Sequence, residues 1–441
     1  MSINEWLAIG LLIGFFGLLM LGVPVGITLA ASGFIFGFMG FGESLFALLP
    51  ARIYGVVANY QWLAIPLFVF MGVMLEKSRL AEDLLDVIGH LAGGLRGGMA
   101  LGIIVVGVLM GATTGIVGAT VITLGLLTLP TLLRRGYDPA ISCGAICASG
   151  TLGQIIPPSL VLILLSDIMQ LSVGTLFAAA VLPGLMLAGL YIGWILLNGF
   201  LRPDSMPPIP KAEREALPRK ELWLRVLKVA LPPLALVLSV LGSIIAGIAA
   251  PTEAASMGAL GSILVVAFAR RLSMEVLRDV IRSTTRVSAM VLFILICSQV
   301  FSLAFRGLQG EKLIEDLFAF LPGGTNTAIW FLMALIFVLG FFIEWIEISY
   351  IAVPLFLPIF VAAGVDMVWL AMLITVNLQT SFLTPPFGWA LFFLRGVAPP
   401  EVTTGDIYRG IIPFVLMQIL ALVLVFFFPA LATWLPKAIG W

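Results

Sequence analysis

The stretch "SGTLGQIIPPSL", Ser149 to Leu160, decides how the rest of this 441-residue chain is read. Two glycines, a glutamine and two consecutive prolines interrupt a run otherwise apolar enough to cross a bilayer. Pro157 and Pro158 bring no amide hydrogen, and Gly150 and Gly153 lower the cost of leaving helical geometry. Backbone carbonyls near Thr151 to Ile156 are therefore expected to lack their usual partners. In lipid each such group costs several kcal/mol, so non-helical backbone survives at that depth only where protein, water or a ligand satisfies it. The break reads as a binding site inside a membrane helix.

Composition supports that setting. Hydrophobic residues make up 61% of the chain and charged ones 10%, too little polar surface for a protein dispersed in water. Apolar runs recur from Trp6 to the C-terminus at lengths near the roughly 20 residues of a spanning helix, and the alternation of a membrane barrel is absent. The fold class expected is an all-α polytopic protein of the lipid bilayer. Positive and negative residues balance at 23 each, so no nucleic-acid partner is expected. Residues 1–5 hold no Lys or Arg and no clear cleavage site follows, so the first segment reads as a retained helix. Cys143, Cys147 and Cys297 lie in apolar stretches with no further ligand near enough in sequence for a metal site, and read as buried small residues. His90 sits among Arg79, Glu82, Asp83 and Asp86, at a solvated or interfacial position.

The chain repeats itself. Leu129-Pro130 recurs as Leu357-Pro358, Gly136-Tyr137-Asp138 as Gly364-Val365-Asp366, and Pro157-Pro158 as Pro385-Pro386, all at an offset of 228. Leu80-x-Glu82-Asp83-Leu84 returns as Leu313-x-Glu315-Asp316-Leu317 at 233, and Pro24 as Pro251 at 227. Residues 1–200 and 229–441 thus read as two repeats. Between them, 201–228 carries Arg202, Lys211, Arg214, Arg219, Lys220, Arg225 and Lys228, the charge density of a cytoplasmic linker. The first repeat has "LRRGYD" where the second has "VAAGVD", and the loss of Arg134 and Arg135 to Ala362 and Ala363 points to inverted topology.

Each repeat holds a second interruption. "MGATTGIVGAT", Met110 to Thr120, separates two apolar arms that end at Arg96 and at Arg134 and Arg135. Arms of about 15 residues reach some 22 Å, short of the roughly 30 Å hydrocarbon core, so a re-entrant hairpin over 97–135 is expected, followed by a split helix over 140–166. The second repeat offers a tip at "GFFIEWIEIS" (Gly340 to Ser349) within a hairpin over 325–363, and a break at "NLQTSFLTPPFG" (Asn377 to Gly388) within a split helix over 368–395. Hydroxyls of Thr113, Thr114, Ser149 and Thr151 and freed carbonyls suit a small cation, while half-helix N-termini suit a carboxylate. Glu344 and Glu347 could ligate a cation or titrate, or stand wet in an aqueous funnel. A plain helix kink satisfied by neighbouring helices is the simpler account of either Pro-Pro pair alone.

At "GATTGIVGAT", "LRRGYDPA", "GTLGQIIPPS", "PTEAA" (Pro251 to Ala255) and "NLQTSFLTPPFG", in that order, the chain resembles the large membrane subunit of tripartite ATP-independent periplasmic (TRAP) transporters. The likeness covers essentially the whole chain. It implies a sodium-driven importer of small organic anions in the bacterial inner membrane, with inverted repeats and an elevator movement. It also implies two partners, a small membrane subunit and a periplasmic substrate-binding protein, and no cofactor beyond Na+ as coupling ion. Carried over, substrate falls to Thr113, Thr114, Gly115, Gln154, Asn377, Thr380 and Ser381. Sodium falls to Thr113, Ser149, Thr151, Gly153, Pro157, Thr380, Thr384 and Pro385, with Glu344 and Glu347 added from the second tip. The first tip lacks the serine-rich form of many relatives, and "EWIE" stands where an aspartate is familiar, so hydroxyl and carboxylate oxygens are both retained. The "GATTGIVGAT" form is most similar to the branch associated with 2-oxo acids, mannitol and chloroaromatic acids.

Other functional classes stay open on the residues alone. A proton-coupled organic anion transporter without a binding protein would use the same breaks, and a channel filter also uses unwound backbone. An intramembrane enzyme would need "EDLLD", Glu82 to Asp86, as a paired-acid metal site, yet the second repeat replaces Asp86 with Ala319. ATP drive lacks its GxxxxGK[ST] loop.

Overall fold

The computed structural model describes residues 2–78, 80–114, 117–211, 219–319, 323–386 and 388–441. For Phe46, Leu80, Ala81, Ala112, Thr113, Thr114, Arg219 and 317–319 it describes the backbone. Helix follows helix. The chain begins with α1 (Ile3–Met20), α2 (Val25–Phe41), α3 (Ser44–Val57), α4 (Ala64–Lys77) and α5 (Leu80–Ala92). Next come α6 (Gly98–Thr114), α7 (Val117–Arg134), α8 (Pro139–Thr151), α9 (Leu160–Ile168) and α10 (Val173–Leu201). After the intervening stretch run α11 (Arg219–Ile245), α12 (Pro251–Phe268), α13 (Met274–Gly307) and α14 (Gly310–Ala319). The last six are α15 (Gly324–Leu339), α16 (Trp345–Ala362), α17 (Met367–Leu383), α18 (Trp389–Val397), α19 (Thr404–Phe427) and α20 (Ala430–Ala438).

Among the described residues eight helices are long and apolar enough to cross a membrane, or nine if the bent pair around Asn59 is one span. The chain is an all-helical, multi-span membrane protein. Its outermost helices keep large apolar side chains outward, including Trp6 and Ile13 on α1 and Leu231 and Leu238 on α11. Lipid tails make such exposure free of the cost that water would impose. Helix-on-helix packing then depends on close backbone approach, and α2 lays Gly26, Gly33, Gly37 and Gly40 along α13. A Cβ on Gly33 would lie 2.9 Å from the Phe301 amide nitrogen, so only glycine fits.

The innermost helices are the broken ones. From Ser142 to Thr151 α8 is buried without interruption, and so is α17 from Leu370 to Leu383. Each begins at an aspartate: Asp138 Oδ1 accepts from the amides of Ala140 and Ile141, and Asp366 Oδ1 from those of Val368 and Trp369. Pro139 then supplies a preset φ at the first helical position. The two helices start at opposite ends of α19, which is about 36 Å long at 1.5 Å per residue. Near its beginning, Gly410 packs against Ala140 and Gly144 of α8. Near its end, the Val425 carbonyl accepts from Trp369 Nε1 of α17 at 2.7 Å.

Several charged groups near helix ends are paired. Arg271, after α12, donates to Asp83 Oδ2 at 2.6 Å and to the Ser78 carbonyl at 3.0 Å, which gives "EDLLD" a structural partner. Lys312 of α14 pairs with Glu5 at 3.5 Å. Helical structure begins at Arg219, inside the stretch read as linker, where Glu221 and Arg225 pair at 3.0 Å one turn apart. Of that linker, 212–218, including Arg214, lies outside the described residues.

Candidate functional site

The first break follows α8 directly. A 3-10 turn at Leu152–Gln154 tightens the chain, and helix resumes only at Leu160. Not every carbonyl is left open: Leu152 O accepts from the amides of Ile155 and Ile156, and Gln154 O from Ser159 Oγ at 2.5 Å. Ser149 Oγ donates to Ala145 O at 2.6 Å and Thr151 Oγ1 to Ala148 O at 2.9 Å. Hydroxyls that donate back into their own helix keep lone pairs for accepting or coordinating. Gln154 is fully buried, and neither atom of its amide has a hydrogen-bond partner.

The second break repeats these habits. Thr380 Oγ1 donates to Val376 O at 2.9 Å, Ser381 Oγ to Leu378 O at 2.7 Å and Thr384 Oγ1 to Thr380 O at 2.8 Å. Thr384 leaves helical geometry for an extended conformation, Pro385 and Pro386 follow, and α18 starts at Trp389. Asn377 Nδ2 donates to Met333 O of α15 at 2.6 Å. The two breaks meet: Gln379 Nε2 donates to Thr151 Oγ1 at 3.3 Å, between residues 228 positions apart.

Each break is touched by the helical pair that precedes it. Gly111, near the end of α6, faces Gly153 so closely that a Cβ on Gly111 would lie 2.5 Å from Gly153 Cα. Gly340, just past α15, packs in the same way on the Ser381 side chain. The end of α6 therefore lies level with the interruption of α8, while α9 carries the chain nine residues further. The arms α6 and α7 run 17 and 18 residues, longer than the expected 15. Gly115 lies outside the described residues, as do the side chains of Thr113 and Thr114. At the second turn, Glu344 caps α16 in extended conformation and is half-buried. Glu347, 4% exposed, lies one turn on, and its Oε2 has no hydrogen-bond partner.

Ser149, Thr151, Gly153, Gln154, Thr380, Ser381 and Thr384 thus gather around the two interruptions, with Pro157 and Pro385 beyond them. Three buried polar residues around Thr151 escaped the reading of the sequence: Tyr191, Gln379 and Gln418. Their only local signal is a polar side chain in an apolar helix.

The order of motifs and the geometry now meet an external test. The family profile described as "Tripartite ATP-independent periplasmic transporter, DctM component" matches residues 12–431. The chain belongs to this TRAP permease family. The C4-dicarboxylate TRAP transporter large permease protein DctM of Pseudomonas aeruginosa is 29% identical over 396 residues, covering 89% of this chain and 90% of that one. The ectoine TRAP transporter large permease protein TeaC of Halomonas elongata is 30% identical, covering 95% and 96%. In fold the chain is similar to the YdaH transporter of Alcanivorax borkumensis, with a TM-score of 0.58, 14% identity and coverage of 90% and 89%. It is accordingly a multi-pass TRAP permease of the bacterial inner membrane, a transporter of small organic solutes and not an enzyme.

Proposed function

We propose that this TRAP permease imports a small organic anion together with sodium, by an elevator movement of its hairpins and broken helices. The observation that carries the proposal is a charge mismatch. The stretches that surround the site, 110–120, 149–160, 340–349 and 377–388, contain Glu344 and Glu347 and no Lys, Arg or His. An anion entering there meets no fixed positive charge, and burying it alone is prohibitive. A cation bound beside it supplies that charge. The C-terminal ends of α8 and α17 turn negative dipole ends and hydroxyl oxygens toward the breaks, which suits Na+, and the N-termini of α7, α9, α16 and α18 offer amides to a carboxylate.

On this reading sodium is held by Thr113, Ser149, Thr151, Gly153 and Pro157 in one half and by Thr380, Thr384, Pro385 and the Glu344–Glu347 turn in the other. Substrate lies between Thr113, Thr114, Gly115, Gln154, Asn377, Thr380 and Ser381. Inverted repeats over 1–200 and 229–441, each with a re-entrant hairpin, are supported by three pairings. Asp138 and Asp366 cap the broken helices from opposite ends of α19, Thr151 and Gln379 meet in the middle, and Gly111 and Gly340 each press on the break that follows them. A tripartite system calls for two further components, and we assign these as a small membrane subunit extending the α2–α13 scaffold and a periplasmic protein that delivers substrate.

Uptake in proteoliposomes containing all three components tests the coupling. Uptake that stops when the sodium gradient is collapsed at constant pH is expected; uptake that continues would overturn it. One observation favours a second reading, proton coupling: the buried, unpartnered Oε2 of Glu347. That reading requires uptake sustained by a pH gradient without sodium and abolished by Glu347→Gln.

A further inference from the structure

Behind the two breaks lies a polar cluster that shares Thr151 with the proposed sodium site and otherwise stands apart from it. Thr151 of α8, Tyr191 of α10, Gln379 of α17 and Gln418 of α19 are each fully buried. The Thr151 hydroxyl is committed, donating to Ala148 O and accepting from Gln379 Nε2. Tyr191 Oη stands beside the side chains of Gln418 and Thr151 without meeting hydrogen-bond geometry to either. Gln379 Oε1, Gln418 Oε1, Gln418 Nε2 and Tyr191 Oη are all without partners. Phe414 packs edge-on against Tyr191 at 5.2 Å, closing the cluster on its apolar side.

The chemistry of these unmet groups names their ligand. Two are carbonyl acceptors, one is an amide donor and one is a phenol that does both. A cation would satisfy the carbonyls and repel the N–H groups, and an anion would do the reverse. Rotating either glutamine amide exchanges which atom is unmet without removing the mixture. Only a small neutral molecule that donates and accepts together fits all four. We infer that ordered water occupies this node and bridges α8, α10, α17 and α19, so that the two breaks are tied to each other through Thr151 and Gln379 by a hydrated link. Buried water is retained where several polar partners converge on it, and this node presents four. The inference rests on the unmet groups of Tyr191, Gln379 and Gln418, none of which is among the proposed sodium ligands.

Synchrotron hydroxyl-radical labelling of the purified full chain in lipid nanodiscs, read residue by residue by mass spectrometry, tests it. Radicals formed from bound water label the side chains beside it, even buried ones. Tyr191 should be labelled about ten-fold more than Phe15 and Phe177, which are equally buried among apolar groups, and to the same extent in sodium and potassium chloride. Gln418→Leu should bring Tyr191 down to the level of those phenylalanines. Labelling of wild-type Tyr191 no higher than Phe177 would mean a dry node and overturn the inference without any variant. Labelling abolished by sodium would make the node a cation site instead, and labelling unmoved by Gln418→Leu would place the water elsewhere. Either result also overturns it.

Discussion

Gly111 and Gly340 show what a single residue does here. Each brings the end of a preceding helix into contact with a break, and in each case a methyl group would collide with the neighbour: backbone at Gly153, side chain at Ser381. Gly111→Ala should cost about 1–3 kcal/mol of stability, because the Gly153 backbone cannot yield as a flexible side chain would. Gly340→Ala should cost a similar amount, since the added methyl would also overlap Ser381 Cβ, which is fixed by the backbone, so rotating the hydroxyl does not relieve the clash. Gly17→Ala, with nothing within 4 Å of the added methyl, is the control and should stay within about 0.5 kcal/mol of wild type. Thermal unfolding of the three variants in one detergent checks the order. The glycines were legible in sequence as helix interruptions; their use as close contacts was not, because nothing local names a partner about 40 residues away. Tyr191 and Gln418 were illegible for the same reason.

At the scale of elements, α8 and α17 are the helices on which the site is built, and their first turns are capped by Asp138 and Asp366. Replacing either with Ala should destabilise the protein by about 1 kcal/mol. The caps lie at opposite ends of α19, so the double variant should cost the sum to within about 0.5 kcal/mol. A coupling well above that, measured by denaturation of all three variants, would mean the two broken helices share their caps' strain. Helix stops were readable because Pro and Gly act locally, whereas Asp138 and Asp366 stood out in the sequence only as members of the repeat. Arm lengths were not readable: α6 continues through Gly111 to Thr114 and α7 begins at Val117, so most of the glycine- and threonine-rich stretch read as an interruption is itself helical.

For the whole molecule, sodium at about 100 times its dissociation constant should stabilise the folded state by roughly 2.7 kcal/mol over potassium at equal ionic strength. Equal melting temperatures across a sodium titration would remove the support for folded-state cation sites. The elevator reading makes a separate demand. Asn59 Nδ2 donates to Asp167 Oδ1 at 2.6 Å, joining the segment before α4 to the end of α9. If α9 moves against that segment, Asn59→Cys with Asp167→Cys should permit uptake when reduced and block it when bridged by a short thiol-specific cross-linker. Unimpaired uptake by fully bridged protein would rule out that movement. Cys143, Cys147 and Cys297 are buried and should stay silent in the experiment.

Sequence by itself determined the solvent, the helical class, the transporter family and the places where helices must stop. The solvent, class and stops follow from quantities carried by neighbouring residues, hydropathy over a span and the missing amide of proline, and the family from ordered motifs that resemble it. Tertiary structure alone decided that Thr151 meets Gln379, that Gly111 lies on Gly153, and that Tyr191 and Gln418 are buried with unmet polar groups. Those contacts depend on how helices distant in the chain pack, and in a membrane that is settled by backbone approach and polar pairing, which no single segment encodes.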